Sequence, residues 1–198
     1  GPDADRLTEE EIKLYKANVR FMRAAYHYYL MELYGPIPIV DHSMTLEDDL
    51  DLPRNSLDEV IEFIDRELKE CMEEMAQEPY HDNENLRAVP TKGAALALRA
   101  KLWVYAASPL FNGNSAYKNW TNHDGTVLMP QTYDKELWKD AADAAKTVID
   151  MTEYQLLKPA ADATFDEIVD NLRAVTTTWG AGKNTEIIWG HPNSVQWY

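Results

Sequence analysis

Apolar residues along the first half of the chain recur at helical spacing between clear start and stop signals. Thr8 followed by Glu9, Glu10 and Glu11 reads as an N-cap with a capping box, its hydroxyl accepting a backbone N–H while Glu11 reaches back to the cap. Ile12, Tyr15, Val19, Met22, Tyr26, Tyr29 or Leu30, and Leu33 then recur in steps of three and four, a stripe expected to face the core, until Gly35-Pro36 ends it. Pro36-Ile37-Pro38-Ile39-Val40 is held extended by its prolines and leads into an acidic loop. Ser56-Leu57-Asp58-Glu59 is a second capping box, and Val60, Ile61, Ile64, Leu68 and Met72 carry the next helix toward about Gln77.

A third helix is predicted from Thr91 to Ala107, ended by Ser108-Pro109. Gly93, Ala94, Ala97 and Ala100 remove bulk so that a neighbouring helix can approach, while Leu96, Leu102 and Trp103 fill the flanking volume. The fourth, from Asp134 to Met151, repeats this with Ala141, Ala142, Ala144 and Ala145 among Leu137, Trp138, Val148 and Ile149. Helix starts at 8, 56, 91 and 134 lie near a tetratricopeptide period without holding to it. The pattern weakens beyond Glu153: Tyr154 to Leu157 reads as short and extended, Phe165 to Leu172 as a brief helix, and Glu186-Ile187-Ile188-Trp189 has strand character. The fold class expected is all-α, with stacked helical hairpins like those of tetratricopeptide repeats, long irregular loops and little β. No Pro, Gly or Ser-rich linker divides residues 1–198, so one domain is expected.

Composition narrows the function. The 198 residues are 45% hydrophobic and 27% charged, and no uncharged apolar run approaches the roughly 20 residues of a membrane-spanning helix. The net charge of −15 repels phosphate backbones and argues against a nucleic-acid partner. Residues 41–78 alone carry a net −11, read as a solvated face. Glu47, Asp48, Asp49 and Asp51 are of the type that suits calcium, but they lack the EF-hand spacing and its turn glycine, so no metal site is predicted. Five scattered histidines and one cysteine, Cys71, give no transition-metal pattern and no internal disulfide.

Catalytic templates fail as well. Gly180-Ala181-Gly182-Lys183-Asn184-Thr185 lacks the first glycine of a phosphate loop and places Asn184 where Ser or Thr would bind magnesium. Gly113-Asn114-Ser115-Ala116-Tyr117 lacks the second glycine of a nucleophile elbow. No catalytic residue and no cofactor are therefore nominated.

Aromatic placement is the unusual feature. Five of the six tryptophans fall in the last 79 residues, and Trp120, Trp179 and Trp197 lie in segments read as loops. Residues 112–125 interleave Tyr117 and Trp120 with Asn, Ser, Thr and Asp. A pyranose packs its C–H face on an aromatic plane while its hydroxyls need directional amide and carboxylate partners. Asn112, Asn114, Tyr117, Trp120, Trp179, Trp197 and Tyr198 are accordingly the candidate ligand contacts, the alternative being that Tyr117 and Trp120 only anchor a long loop.

Five ordered blocks resemble the SusD/RagB outer-membrane glycan-binding lipoproteins. They are Arg20 to Leu30 with Leu33-Tyr34-Gly35-Pro36-Ile37-Pro38; Leu52-Pro53-Arg54 with Ser56-Leu57-Asp58-Glu59-Val60; Ala88 to Lys101, continuing into Ala106-Ala107-Ser108-Pro109-Leu110-Phe111-Asn112-Gly113; Trp138, Ala141-Ala142 and Val148-Ile149-Asp150; and Asn184-Thr185-Glu186-Ile187-Ile188-Trp189. The resemblance implies a non-catalytic, tetratricopeptide-like lipoprotein at the cell surface, binding oligosaccharide and riding on a TonB-dependent, SusC-like transporter. It also implies a longer chain with a lipidated cysteine, of which residues 1–198 would be the middle, so membrane attachment would run through an anchor outside this sequence. Two other readings compete: a helical scaffold that binds only a protein partner through the acidic face of helix 56–77, and a glycoside hydrolase, which abundant carboxylates permit but do not specify.

Overall fold

The computed structural model describes residues 7–80, 86, 88–156, 158–177 and 185–190. Among the described residues five α-helices follow in order: α1, Glu9–Tyr34; α2, Leu57–Met72; α3, Lys92–Ala107; α4, Leu137–Ile149; and α5, Phe165–Thr177. Among the described residues there is no strand, only an antiparallel bridge between Thr121 and Val127. The all-α expectation therefore holds, and no helix of the described chain is long and apolar enough to cross a membrane.

Local chemistry sets the helix boundaries. Both predicted capping boxes are formed: Glu11 N–H donates to Thr8 Oγ1 at 3.2 Å and Thr8 N–H to Glu11 Oε2 at 2.8 Å, with the same reciprocal pair between Ser56 and Glu59. Each is worth about 1 kcal/mol. A third box caps α5, where Thr164 N–H donates to Glu167 Oε2 at 2.7 Å, and that helix continues past the predicted Leu172. At the other end of α1, Gly35 adopts φ +68° and returns its N–H to Met31 O at 2.8 Å, closing the helix before Pro36. Helix α2 stops at Met72, short of Gln77: Glu74 N–H turns back three residues to Cys71 O at 3.2 Å, tightening the last turn, and Ala76 O instead accepts from Lys92 N–H at 2.9 Å at the start of α3.

Helices α1 and α2 pack as one hairpin and α3 and α4 as another, with α2 against α3 joining them. The core is built from Phe21, Tyr28 and Met31 of α1, Leu57, Val60, Ile64 and Leu68 of α2, and Leu98 and Leu102 of α3, closed by Phe111 and Met129 from the long connection. At the second hairpin two of the four alanines predicted to pack, Ala141 and Ala144, are buried, while Ala142 is exposed and Ala145 half-buried. Gly93 makes room for a tyrosine: a Cβ there would stand 2.2 Å from Tyr154 Oη.

Two buried carboxylates of α2 tie the helices, Glu67 to α1 within the first hairpin and Asp65 to α3 across the two hairpins. Glu67 receives Arg20 Nε at 3.0 Å and Nη2 at 2.9 Å, together with Arg23 Nε at 3.0 Å. Asp65 receives Arg99 Nε at 2.5 Å, Trp103 Nε1 at 2.8 Å and Lys69 Nζ at 2.6 Å. Burial pushes both carboxyls up, but these donors outweigh it and hold each below the ordinary carboxylate range.

Three expectations need correction. The stripe running from Ile12 to Leu33 does not face the core: Tyr15, Val19, Tyr26 and Leu33 are exposed, and α1 instead buries Ala17, Phe21, Ala24, Ala25, His27, Tyr28 and Met31. Both faces of the helix carry apolar residues in steps of three and four, so periodicity alone could not choose between them. Trp138 and Ile149 of α4 are exposed rather than packed around its alanines. Residues 186–189 form no strand. Gln155 N–H donates to Thr185 O at 3.1 Å, but the return bond comes from the Thr185 hydroxyl, so no ladder propagates.

Candidate functional site

The connection from Ser108 to Glu136 crosses the end of α1 and is pinned at several points. Asn114 Oδ1 accepts from Ala116 N–H at 3.0 Å, and its Nδ2 donates to Leu110 O at 3.0 Å, shaping a 3₁₀ turn over Ser115–Tyr117. Asn119 then takes the left-handed φ of +65°, which asparagine tolerates better than most residues, and turns the chain into Trp120. Leu128 N–H donates to Trp120 O at 3.0 Å, and Leu57 N–H to Leu128 O at 2.9 Å, so the indole segment is fastened to the start of α2. Asn122 Nδ2 adds a bond to Arg54 O at 2.8 Å.

These constraints bring Tyr117 and Trp120 together, with ring centroids 5.8 Å apart and planes tilted by 34°. Both rings are half-buried and rest on the hydrophobic core. The anchoring and ligand-contact readings are compatible, since each ring has one part in the protein and one part in water. Beside them lies a cleft of about 190 Å³, walled by Glu32, Leu33, Tyr34 and Gly35 from the end of α1, by Leu110, Phe111, Tyr117 and Trp120, and by Met129. Tyr34 is exposed there. The Glu32 carboxylate is oriented by the Tyr105 hydroxyl, which donates to it at 2.7 Å. Arg54 completes the arrangement: its guanidinium stacks over the Trp120 ring, 5.6 Å from the centroid, while its Nη1 donates to Pro36 O at 2.7 Å.

The predicted contacts separate into three groups. Tyr117 and Trp120 meet at the cleft. Asn114 stands beside them but its amide holds the turn in shape. Asn112 is buried, with Nδ2 donating to Asp134 O and Oδ1 accepting from Asp134 N–H, both at 2.7 Å, so it holds two loop segments together. It lies on the wall of a different cavity, of about 410 Å³, with Asp58, Glu62, Trp103, Gln131 and Asp134. Trp179, Trp197 and Tyr198 lie outside the described residues. Sequence reasoning missed Glu32, Tyr34 and Arg54 as members of the site. The Tyr-Gly-Pro stop of α1 signalled an aromatic at a helix end, but nothing local joins residue 34 to residue 120.

Among the described residues no group of three or more His, Cys, Asp or Glu is placed to hold a metal ion. What the cleft offers is aromatic surface beside the Glu32 carboxylate, with the Arg54 guanidinium occupied behind it in holding the Trp120 ring and the exit of α1.

Comparison with known proteins identifies the family of the chain. Residues 3–106 match the SusD-like family described as starch-binding and associating with the outer membrane, and the chain belongs to that family. The structure superposes on that of BT4246 with a TM-score of 0.78 and 29% identity, over 94% of this chain and 36% of that one. It also superposes on the SusD-like protein BF3747 of Bacteroides fragilis, with a TM-score of 0.63 and 22% identity, over 92% of this chain and 28% of that one. A SusD-like carbohydrate-binding protein of the same organism, BF0978, shares the fold at a TM-score of 0.55 and 16% identity, over 76% of this chain and 23% of that one. The chain thus spans between about a quarter and about a third of the length of these solved proteins. No curated protein matches the sequence.

Proposed function

We infer that this chain contributes a non-catalytic oligosaccharide-binding surface, displayed at the cell surface, to a system that imports glycans through a TonB-dependent, SusC-like transporter. Membership of a starch-binding, outer-membrane-associated family supports the general activity. The transporter partnership, the uptake role and a lipid anchor carried by polypeptide outside these residues extend it. The single observation that carries the site assignment is the cleft at the end of α1, where Tyr34, Tyr117 and Trp120 stand around Glu32. A sugar ring lying against the Tyr117 and Trp120 rings would present hydroxyls to the Glu32 carboxylate. Trp179, Trp197 and Tyr198 remain nominated as further contacts.

A preformed platform that stacks one or two sugars should bind in the micromolar to millimolar range, because weak contacts must offset the immobilisation of a flexible ligand. Affinity electrophoresis through gels cast with a panel of polysaccharides tests the reading. Retardation by at least one glycan, relieved in Tyr117→Ala and Trp120→Ala, is the expected result. Migration unaffected by every glycan would refute glycan binding, whereas retardation that survives both substitutions would refute this site.

A further inference from the structure

Charge at the cleft beside Tyr117 and Trp120 has a single source. Of the residues on its wall, Glu32 alone is charged. The two fully buried carboxylates of the fold are each matched by two cations, Glu67 by Arg20 and Arg23 and Asp65 by Arg99 and Lys69. Glu32 is treated differently. Its half-buried carboxylate has a neutral partner, the Tyr105 hydroxyl that donates to Oε1 at 2.7 Å, and no lysine, arginine or histidine of the described chain stands within ion-pair distance. Bases around the cleft are held off its wall. Arg54 stacks on Trp120 and donates to Pro36 O and Tyr34 O, Lys101 Nζ stands 5.3 Å over the Tyr28 ring, and Lys118 is exposed in the adjoining turn.

The hydroxyl that orients Glu32 is itself fixed. Tyr105 is wedged between the buried Tyr28 and Phe111, with ring centroids 6.0 Å and 5.9 Å away. A carboxylate held in this way only accepts hydrogen bonds, so a ligand seated against it must bring donors, as sugar hydroxyls do. A ligand carboxylate or sulfate would bring more acceptors and a second negative charge. At a half-buried group that repulsion is screened by salt only in part. The cleft, at about 190 Å³, is also small beside the roughly 300–1,000 Å³ of a common ligand pocket, so a charge carried into it stays close to Glu32.

We propose, resting on the reading that this cleft holds sugar, that Glu32 sets its charge selectivity: the site takes neutral glycans that donate hydroxyl hydrogen bonds and rejects those bearing carboxylate or sulfate groups. Tyr105 is the positioning residue that keeps the Glu32 carboxylate turned to the ligand.

Titration calorimetry of the full-length polypeptide that carries these residues tests the selectivity. The probes are the hydroxyethyl and carboxymethyl derivatives of amylopectin, dextran, cellulose and xylan, which offer similar bulk without and with charge. Salt at about 0.5 M suppresses repulsion between an acidic chain as a whole and a polyanion, leaving the close pair inside the cleft. For each backbone that binds, the carboxymethyl form is expected to bind at least about tenfold more weakly than the hydroxyethyl form. In Glu32→Gln, which keeps the shape of the side chain, that ratio should shrink to about threefold or less through tighter binding of the carboxymethyl form. Tyr105→Phe keeps the ring in its stack and frees the carboxylate, and should shrink the ratio in part. Equal binding of the two forms by the unsubstituted protein would overturn the proposal and leave glycan binding standing. That comparison needs no substitution, so a variant that fails to fold does not shield the proposal. A ratio unchanged in Glu32→Gln would overturn it by placing the selection elsewhere, and one unchanged in Tyr105→Phe would overturn the positioning role. If no polymer of either kind binds, the glycan reading falls and the selectivity falls with it.

Discussion

Arg54 and Trp120, 66 positions apart, form the joint on which the proposed sugar platform turns. The guanidinium lies over the indole, 5.6 Å from the ring centroid, while Nη1 donates to Pro36 O at 2.7 Å and to Tyr34 O at 3.3 Å. One side chain thus fixes the exit of α1 and the plane of the tryptophan together. A lysine could supply the charge but neither the flat face nor the fork of donors. Arg54→Lys is expected to weaken glycan binding about threefold to tenfold, as a stacking contact of about 1 kcal/mol and its geometry are lost, with a small fall in Tm. Isothermal titration with a glycan that retards the wild type, beside a thermal melt, separates the two effects. Unchanged affinity would show that the indole is held by its own packing.

Gly113 and Gly125 both have positive φ, but only one is enclosed. A Cβ at Gly113 would stand 2.3 Å from the backbone nitrogen of Tyr133 and 2.6 Å from the carbonyl carbon of Thr132, whereas at Gly125 nothing lies within 4 Å. Gly125→Ala should therefore cost about 1 kcal/mol for the left-handed backbone alone. Gly113→Ala adds a backbone collision that no rotamer can relieve, and should cost several kcal/mol while loosening the Asn112–Asp134 tie. Denaturant titration of the pair gives the difference, and equal losses would contradict the close approach of the two loop segments.

These loop relationships show where sequence stops being informative. Helix ends are legible because capping is local: Thr8 with Glu11 and Ser56 with Glu59 are three residues apart. The choice of face on α1 is not legible, since Phe21, Tyr28 and Met31 and the row from Ile12 to Leu33 have the same spacing, and only α2 and α3 decide which is inside. Asn112 reads as a ligand contact from its polar neighbourhood, but burial gives a polar side chain a second use, satisfying the backbone of a distant loop. Tyr117 and Trp120 stand out because loop aromatics beside amides are visible in one dimension. Glu32, Tyr34 and Arg54 escape notice because chain folding, not spacing, makes them neighbours.

Cys71 gives a direct readout of hairpin integrity. Burial pushes its thiol up to about 12, and Sγ donates to Leu68 O at 3.4 Å inside the core. At pH 8 almost none of it is thiolate in the folded state, so reaction with an aromatic disulfide reagent should be negligible until denaturant opens the α1–α2 hairpin. Rapid labelling of the native protein at pH 8 would contradict the packing of α2.

The Glu67 cluster predicts how stability responds to acid. Burial raises its carboxyl, but Arg20 and Arg23 outweigh burial, and the folded carboxyl titrates below the ordinary value of about 4.3 that it regains on unfolding. Between those two values the unfolded chain binds more protons than the folded one, so stability rises with pH there. The contribution is complete above the unfolded pKa and is lost as pH falls through the folded one, and Asp65 behaves in the same way with Arg99, Lys69 and Trp103 as partners. Wild-type Tm should therefore be level near neutrality and fall steeply below about pH 4. Glu67→Gln removes the ionisable group while keeping its shape. It should lose about 2 kcal/mol at pH 7, in the range for hydrogen bonds to a charged group with its two arginines still partly in water, and its Tm should fall less steeply in acid than that of the wild type. Thermal melts of both proteins between about pH 2.5 and pH 7 check the sign, and parallel curves would show that Arg20 and Arg23 leave the Glu67 titration unperturbed.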